Sequence, residues 1–265
     1  MINQKDNFTL YNENAIYEFA MFSSVGGRPE QEDSSGYELE ANGGITVICD
    51  GMGGHNGGKL ASSLAVSEML RLYLHRDQRL PVPEVLMNAA DLIDRSVSEL
   101  AFSDGTRMQA GTTIICSAIE GSRLHILSVG DSRIYLIRGG TLFKMTTDHN
   151  YLTKLNMELS AGKISRFEYD AELPRGEALV SFLGVGGLSM IDCNTEPFKL
   201  MRDDMVLMTT DGMYKILPES EIQALLENFS NISDAIQAME LKVRRLANQR
   251  HISRDNMTVA IIKIK

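Results

Sequence analysis

Short apolar runs rich in β-branched and aromatic residues recur along this chain and predict β-strands. The runs cover residues 17–23, 45–49, 112–119, 123–129, 133–137, 205–209 and 257–264. The turns Glu120-Gly121-Ser122 and Gly139-Gly140 are typical of hairpin connections. Strands that follow one another through such short turns pair antiparallel, so the pattern indicates antiparallel sheets.

Three longer segments, residues 60–74, 83–102 and 233–247, carry apolar residues near a 3.6-residue period and predict helices. Strands and helices form separate clusters along the chain. The fold class is therefore α+β, with helices covering antiparallel sheets. Residues 150–177 are polar and irregular, with room for short helices, and an insertion of this length is often a functional lid.

Length and composition favour a single domain over residues 1–265, because 43% of the residues are hydrophobic and no linker or repeat divides the chain. A polar N-terminus and the lack of any apolar run of about 18 residues predict a cytoplasmic protein without membrane contact. A net charge of -9 argues against nucleic-acid binding. Three widely spaced cysteines form no CxxC pair, and Cys49 and Cys116 are expected to be buried structural thiols. A monomer is the default expectation.

Several aspartates stand where predicted strands end. Asp50, Asp131 and Asp211 each follow an apolar run and adjoin a glycine, and Asp255 shortly precedes the last run. One Asp-Gly pair alone is a common turn signal. Carboxylates at several strand ends can instead converge, and a hard divalent cation such as Mg²⁺ or Mn²⁺ removes their repulsion.

A glycine-rich stretch, Gly51-Met-Gly-Gly-His-Asn-Gly-Gly58, precedes the first predicted helix. It matches GxxxxGK, but Leu60 stands where a nucleotide-binding P-loop needs Ser or Thr, and GxGxxG fails at Asn56. The alternative is that the glycines let the backbone approach a metal, with the Gly51 carbonyl as a ligand. For His55, a packing or capping role and a functional role both stay open.

Eight motifs in one order resemble the metal-dependent protein phosphatases of the type 2C class, especially their bacterial members. The motifs are Arg28-Pro-Glu-Gln-Glu-Asp33, Val47-Ile-Cys-Asp-Gly-Met-Gly-Gly-His55, Gly111-Thr-Thr113, Val129-Gly-Asp-Ser-Arg133, Thr147-Asp-His149, Leu183-Gly184, Thr210-Asp-Gly212 and Arg254-Asp-Asn-Met-Thr-Val259. Each is weak alone, but together they span residues 28–259 and are specific.

This resemblance implies a four-layer α-β-β-α sandwich with two Mg²⁺ or Mn²⁺ ions at one edge. The resemblance implies that Asp50 bridges the two ions and that Asp211 and Asp255 bind one of them. Asp33, favoured over Glu32, and the Gly51 carbonyl are implied to bind the other ion. Asp131 is implied to bind a third, weaker ion.

The implied function is hydrolysis of phosphoserine and phosphothreonine in phosphorylated proteins, by direct attack of a hydroxide that bridges the two ions. Arg28 resembles the phosphate clamp, and residues 150–177 resemble the family's mobile flap. For Arg28 the plainer alternative is a surface ion pair with Glu30 or Glu32. For the whole chain the alternative is an inactive, phosphatase-like binding module.

Two departures from the family pattern leave details open. Met52 stands where animal enzymes carry the histidine assigned as general acid, so a metal-bound water, His55 or His149 would protonate the leaving group. Leu173-Pro174 replaces the His-Pro of many relatives in the flap, which leaves its contacts with substrate undefined.

Overall fold

Two antiparallel sheets lie face to face at the centre of the molecule, because their strands present apolar side chains to one another. The computed structural model describes residues 2–3, 7–54 and 56–265. In chain order the strands of this part are β1 (Ile2–Asn3), β2 (Asn7–Glu13), β3 (Tyr17–Ser24), β4 (Ser34–Glu40), β5 (Gly43–Cys49), β6 (Gly51–Gly53), β7 (Ala110–Thr112), β8 (Ile114–Glu120), β9 (Arg123–Val129), β10 (Arg133–Arg138), β11 (Thr141–Lys144), β12 (Asp192–Cys193), β13 (Phe198–Lys199), β14 (Met205–Thr209) and β15 (Met257–Ile264).

The helices flank the sheets and connect their strands. They are α1 (Gly57–Leu74), α2 (Val82–Ser98), α3 (Tyr151–Ser160), α4 (Arg166–Glu172), α5 (Asp211–Tyr214), α6 (Glu219–Asn228) and α7 (Ile232–Arg250). The first sheet has the order β1-β4-β5-β8-β9-β12, with β13 also paired to β9, and the second has the order β11-β10-β14-β15-β3-β2. The short strands β6 and β7 pair separately.

Three apolar clusters separate four layers. One, which includes Phe19 and Ile48, lies between the two sheets. A second packs α1 and α2 against the first sheet, through residues such as Met69 and Leu86. A third packs α5, α6 and α7 against the second sheet, through residues such as Met239. The predicted α-β-β-α sandwich is confirmed.

Most predicted elements are present, with shifted ends. Residues 112–119 are not one strand, because the chain bends at Thr113, whose backbone N–H donates to the Asp50 carbonyl. The helix predicted over residues 83–102 ends at Ser98, because the following residues form a tight turn in which Ala101 bridges Arg107. No strand or helix was predicted at β1, β2, β4, β6, β11, β12, β13, α5 or α6.

The segment of residues 150–177 holds α3, α4 and a single 3₁₀ turn at Leu173–Arg175. Its helices begin at capping residues, Asn150 for α3 and Ser165 for α4, and Ser165 forms a reciprocal capping box with Glu168. Among the described helices, none combines the length and hydrophobicity that a membrane span requires.

Candidate metal centre

Antiparallel pairing brings two of the acidic residues together at one end of the first sheet. Asp33 immediately precedes β4, Asp50 immediately follows β5, and the adjoining residues Ser34 and Cys49 are paired partners. The end of one strand and the start of its antiparallel neighbour lie at the same sheet edge. The two carboxylates therefore occupy adjacent positions on a rigid platform.

The second sheet contributes Asp211 and Asp255 in the same way. Asp211 follows β14 and begins α5, while Asp255 lies just before β15, and Thr209 pairs with Val259. Asp131 joins them from the loop between β9 and β10, because Arg133 in β10 also pairs with Thr209. Strand register thus collects residues from distant parts of the sequence.

Asp33 is the most deeply buried of these acids, with 4% of its surface exposed. Its Oδ2 accepts hydrogen bonds from the hydroxyls of Thr258 in β15 at 2.7 Å and of Thr210, just after β14, at 3.0 Å. Its Oδ1 is buried with no hydrogen-bond partner. Burial, with repulsion from Asp211 and Asp255, raises the pKa of Asp33 to about 7.

The Asp50 backbone is held by two threonines. Its N–H donates to the Thr113 hydroxyl at 3.0 Å, and its carbonyl accepts from the Thr112 hydroxyl at 2.9 Å. Burial raises the pKa of Asp50 well above its usual value, and Asp33, Asp211, Asp131 and Asp255 raise it further in that order. The four other acids that the sequence singled out therefore all act electrostatically on Asp50.

Arg28 forms an ion pair with Asp255, with Nη2 2.5 Å from Oδ2. The alternative interpretation, an ion pair of Arg28 with Glu30 or Glu32, is wrong, because the partner is Asp255. Asn256 fixes this arrangement, because its Oδ1 accepts from the Glu32 backbone N–H and its Nδ2 donates to the Glu30 carbonyl. The motif that begins at Arg28 is thus tied to the segment that carries Asp255.

Lys215 was not singled out from the sequence, although it follows Asp211 by four residues, the spacing that places two side chains on one helical face. Its Nζ lies 2.7 Å from Asp211 Oδ2 and 3.7 Å from Asp131 Oδ2. Burial raises the pKa of Asp131 to about 6, helped by Asp211 and opposed by Lys215. Partial burial lowers the pKa of Lys215, but these carboxylates outweigh that effect and raise it.

Gly51 lies in close contact with the motif that begins at Arg28. A Cβ at this position would stand 2.2 Å from the Gly58 carbonyl oxygen and 2.6 Å from that of Glu32. No side chain fits there, so glycine is required for the start of α1 to approach the Asp50 turn. The same packing keeps the Gly51 backbone beside the acidic cluster.

His149 and His55 are the two histidines that the sequence offers as general acids, and only His149 lies among the described residues. His149 is fully buried, its Nδ1 accepts from the Gly130 N–H at 3.1 Å, and its Nε2 faces Asp192 at 3.5 Å. These contacts give His149 a structural role, orienting the loop that carries Asp131. His55 lies outside the described residues. Met52, partly buried in β6, has no proton to transfer.

The described residues fit a cation site in their negative charge and in one carboxylate oxygen that has no hydrogen-bond partner. Within residues 2–3, 7–54 and 56–265, no group of three or more Asp, Glu, His or Cys side chains surrounds one common point. Asp255 instead forms an ion pair with Arg28, and Asp211 forms one with Lys215. The unpartnered Asp33 oxygen and the mutual repulsion around Asp50 nevertheless leave negative charge that a hard cation would neutralise.

Comparison with known proteins identifies the family of this chain. The model of the family described as Protein phosphatase 2C matches residues 14–154. The serine/threonine phosphatase stp of Listeria welshimeri is 29% identical over 240 residues, which cover 89% of this chain and 91% of that protein.

Solved structures show the same fold. The serine/threonine phosphatase of S. agalactiae superposes with a TM-score of 0.79 at 24% identity, covering 94% of this chain and 100% of that one. The catalytic domain of the phosphatase PstP, in complex with 2 manganese ions, gives a TM-score of 0.68 at 21% identity, covering 94% and 98%. The chain belongs to the protein phosphatase 2C family of serine/threonine protein phosphatases.

Proposed function

We propose that this enzyme removes phosphate from phosphoserine and phosphothreonine in proteins in a reaction that requires two Mg²⁺ or Mn²⁺ ions. The observation that carries the proposal is the cluster of five acids at the strand ends, with the buried Asp33 oxygen left unpartnered. A purely structural cluster would satisfy such an atom, because an unpaired buried polar group costs about 1–3 kcal/mol.

The residues that would hold the ions come from both sheets. Asp50 would bridge the pair, Asp211 and Asp255 would serve one ion, and Asp33 with the Gly51 carbonyl would serve the other. When bound, the pair would acidify a water molecule for direct attack on phosphorus and neutralise charge on the phosphate.

A cysteine-based mechanism has no support in this chain. Cys49 and Cys116 are buried, and burial raises the pKa of both thiols. Cys193 is partly buried, and its pKa is raised to about 11. A protonated thiol is a poor nucleophile, which favours attack by water.

Arg28 is the proposed phosphate-binding side chain. About half of it is exposed, and it borders an open cleft of about 290 Å³ beside the acidic cluster. The cleft is lined by Arg28, Pro29, Glu30, Glu32, Gly53 and Asn56. A planar guanidinium can contact two phosphate oxygens at once, so Arg28 would orient the phosphoryl group at the mouth of the site.

Several wider expectations remain part of the proposal. The chain would act as a single catalytic domain, with residues 150–177 as a flap over the substrate. It would act as a cytoplasmic monomer on phosphorylated proteins, independently of nucleic acid and membranes. The net charge of -9 supports the nucleic-acid part of this expectation.

The test is hydrolysis of p-nitrophenyl phosphate and of phosphoserine, phosphothreonine and phosphotyrosine peptides, with Mn²⁺ and with EDTA. We expect Mn²⁺-dependent activity on the serine and threonine peptides. Asp211→Asn should abolish it and leave the circular dichroism spectrum unchanged, whereas the exposed Asp91→Asn control should keep it. Full activity in EDTA would contradict the metal requirement, and an inactive protein that binds phosphopeptides would indicate a binding module.

A further inference from the structure

One ammonium group lies among three carboxylates beside the proposed metal centre. Lys215 Nζ is 2.7 Å from Asp211 Oδ2, 3.4 Å from Glu177 Oε2 and 3.7 Å from Asp131 Oδ2. The contact with Asp211 is a hydrogen bond, and the two longer contacts are ion pairs. Glu177 stands at the end of the proposed flap, so the lysine joins that segment to the acidic cluster.

The backbone determines where this lysine points. Lys215 follows the single turn of α5, and its N–H donates to the Asp211 carbonyl at 3.1 Å. Side chains four residues apart on a helix lie over one another, with the later one leaning back toward the N-terminus. The Tyr214 hydroxyl also donates to the Asp131 carbonyl at 2.9 Å, which holds the Asp131 loop against α5.

A divalent cation and this ammonium group would compete for the same oxygen atoms. Mg²⁺ requires its ligand oxygens at about 2.0–2.1 Å, and two positive groups on one carboxylate oxygen repel. Lys215 contacts the Oδ2 atoms of Asp211 and Asp131. Its charge therefore stands where a cation between Asp131 and Asp211 would need these two oxygen atoms. A carboxylate has two oxygen atoms, so Asp211 can still serve the paired ions through the other one.

We infer that Lys215 takes the place of a third divalent cation at Asp131, and that through Glu177 it holds the flap against the metal centre. This inference rests on the proposed function for the paired ions. Lys215 is then a positioning residue whose charge substitutes for a metal that Asp131 would otherwise bind.

Counting bound ions tests the first part directly. Equilibrium dialysis against Mn²⁺, followed by elemental analysis, gives the number of ions per chain. We expect two ions in the wild-type chain, three in Lys215→Met, and again two in Lys215→Met combined with Asp131→Asn. Lys215→Arg keeps the charge and should remain at two. Lys215→Gln serves as a second uncharged variant if Lys215→Met does not fold.

Each other result has a defined meaning. Three ions in the wild type that fall to two with Asp131→Asn would overturn the inference, as would an uncharged Lys215 variant that stays at two. A wild-type chain that hydrolyses phosphopeptides but gains no ion on loss of Lys215 would overturn only this inference. A wild-type chain that binds no Mn²⁺ would overturn the proposed function and this inference with it.

Hydrogen–deuterium exchange tests the contact with the flap. Lys215→Met and Glu177→Gln should both speed exchange in α3 and α4, because each removes the same ion pair. Glu177→Gln should do so without changing the number of bound ions. Unchanged exchange in both variants would overturn the role of Lys215 in holding the flap.

Discussion

Individual side chains at the centre are held by partners that differ in chemistry. Asp33 is fixed by neutral hydroxyls on one oxygen and by nothing on the other. Asp255 is instead paired with Arg28. Since a neutral partner does not compete for charge, Asp33 keeps an uncompensated charge that a cation would neutralise, whereas Asp255 shares its charge with an exposed guanidinium.

Replacement of Arg28 should mainly weaken substrate binding. Loss of a hydrogen bond to a charged group costs about 1.5–3 kcal/mol, which corresponds to a rise in KM of roughly 10- to 150-fold. Steady-state kinetics of Arg28→Ala on a phosphothreonine peptide measure this rise.

Arg28→Lys is the matched control, because it keeps the charge and loses the planar fork, and its KM should fall between those of the wild type and Arg28→Ala. An unchanged KM in Arg28→Ala would show that the Arg28–Asp255 pair is only structural.

The ends of several secondary-structure elements lie in close contact at the site. The Asp50 turn touches the start of α1 at Gly51, and the start of α5 touches the segment before β15 at Gly212. A Cβ on Gly212 would stand 1.9 Å from the Asn256 carbonyl oxygen. A real Cβ never lies this close to a backbone atom, so any side chain would separate strand ends that carry the proposed metal residues. Close packing of element ends is therefore part of the site.

Gly51→Ala should therefore damage the site severely. Its added Cβ would clash with the Gly58 and Glu32 carbonyls, and we expect destabilisation by at least about 1–3 kcal/mol, with loss of Mn²⁺ binding. Denaturant unfolding and calorimetric titration with Mn²⁺ measure the two effects.

Gly54→Ala is the control from the same loop, because a Cβ there meets nothing within 4 Å. Gly54→Ala should behave like the wild type. Equal stability and equal Mn²⁺ affinity in both variants would contradict the proposed close approach at Gly51.

Over the whole molecule, three apolar clusters hold the two sheets and the outer helices together, while one edge concentrates like charges. The apolar layers stabilise the fold and allow the edge to keep carboxylates that repel one another. This edge therefore lowers stability at neutral pH, and binding of a cation there would restore it.

The metal-free protein should lose stability as pH rises. The pKa of Asp33 is raised from 3.8 to about 7, and the pKa of Asp131 is raised from 3.8 to about 6. Between about pH 4 and about pH 7 the folded state therefore binds more protons than the unfolded state. The contribution is fully present below about pH 4 and is lost as pH rises through about 7. Urea unfolding in EDTA at about pH 5 and about pH 7.5 measures the slope.

Asp33→Asn isolates this effect, because an amide does not titrate. The variant should show a smaller loss of stability over the same pH range, and added Mn²⁺ should restore less stability at neutral pH than it does in the wild type. An identical slope in the variant would mean that Asp33 is not the group responsible.

Several elements escaped prediction for identifiable reasons. The strand β4 begins Ser34-Ser-Gly36, with small polar residues that are buried beside the site, so it lacks an apolar signal. The helix α5 has four residues, too few for a period to appear. The helix α6 did carry a signal, since it follows Pro218 and buries Ile222 and Leu226 at a four-residue spacing.

The amino-acid sequence by itself determined the central strands, the aspartates placed near their ends and the order of the motifs, because these depend on local apolar runs and on glycines at turns. Only the tertiary structure decided the distant partners: Asp255 for Arg28, Asp131 and Glu177 for Lys215, and the buried contacts of His149. Such contacts join segments as far apart as 227 residues. They depend on strand register and on the packing of the two sheets, which no local pattern specifies.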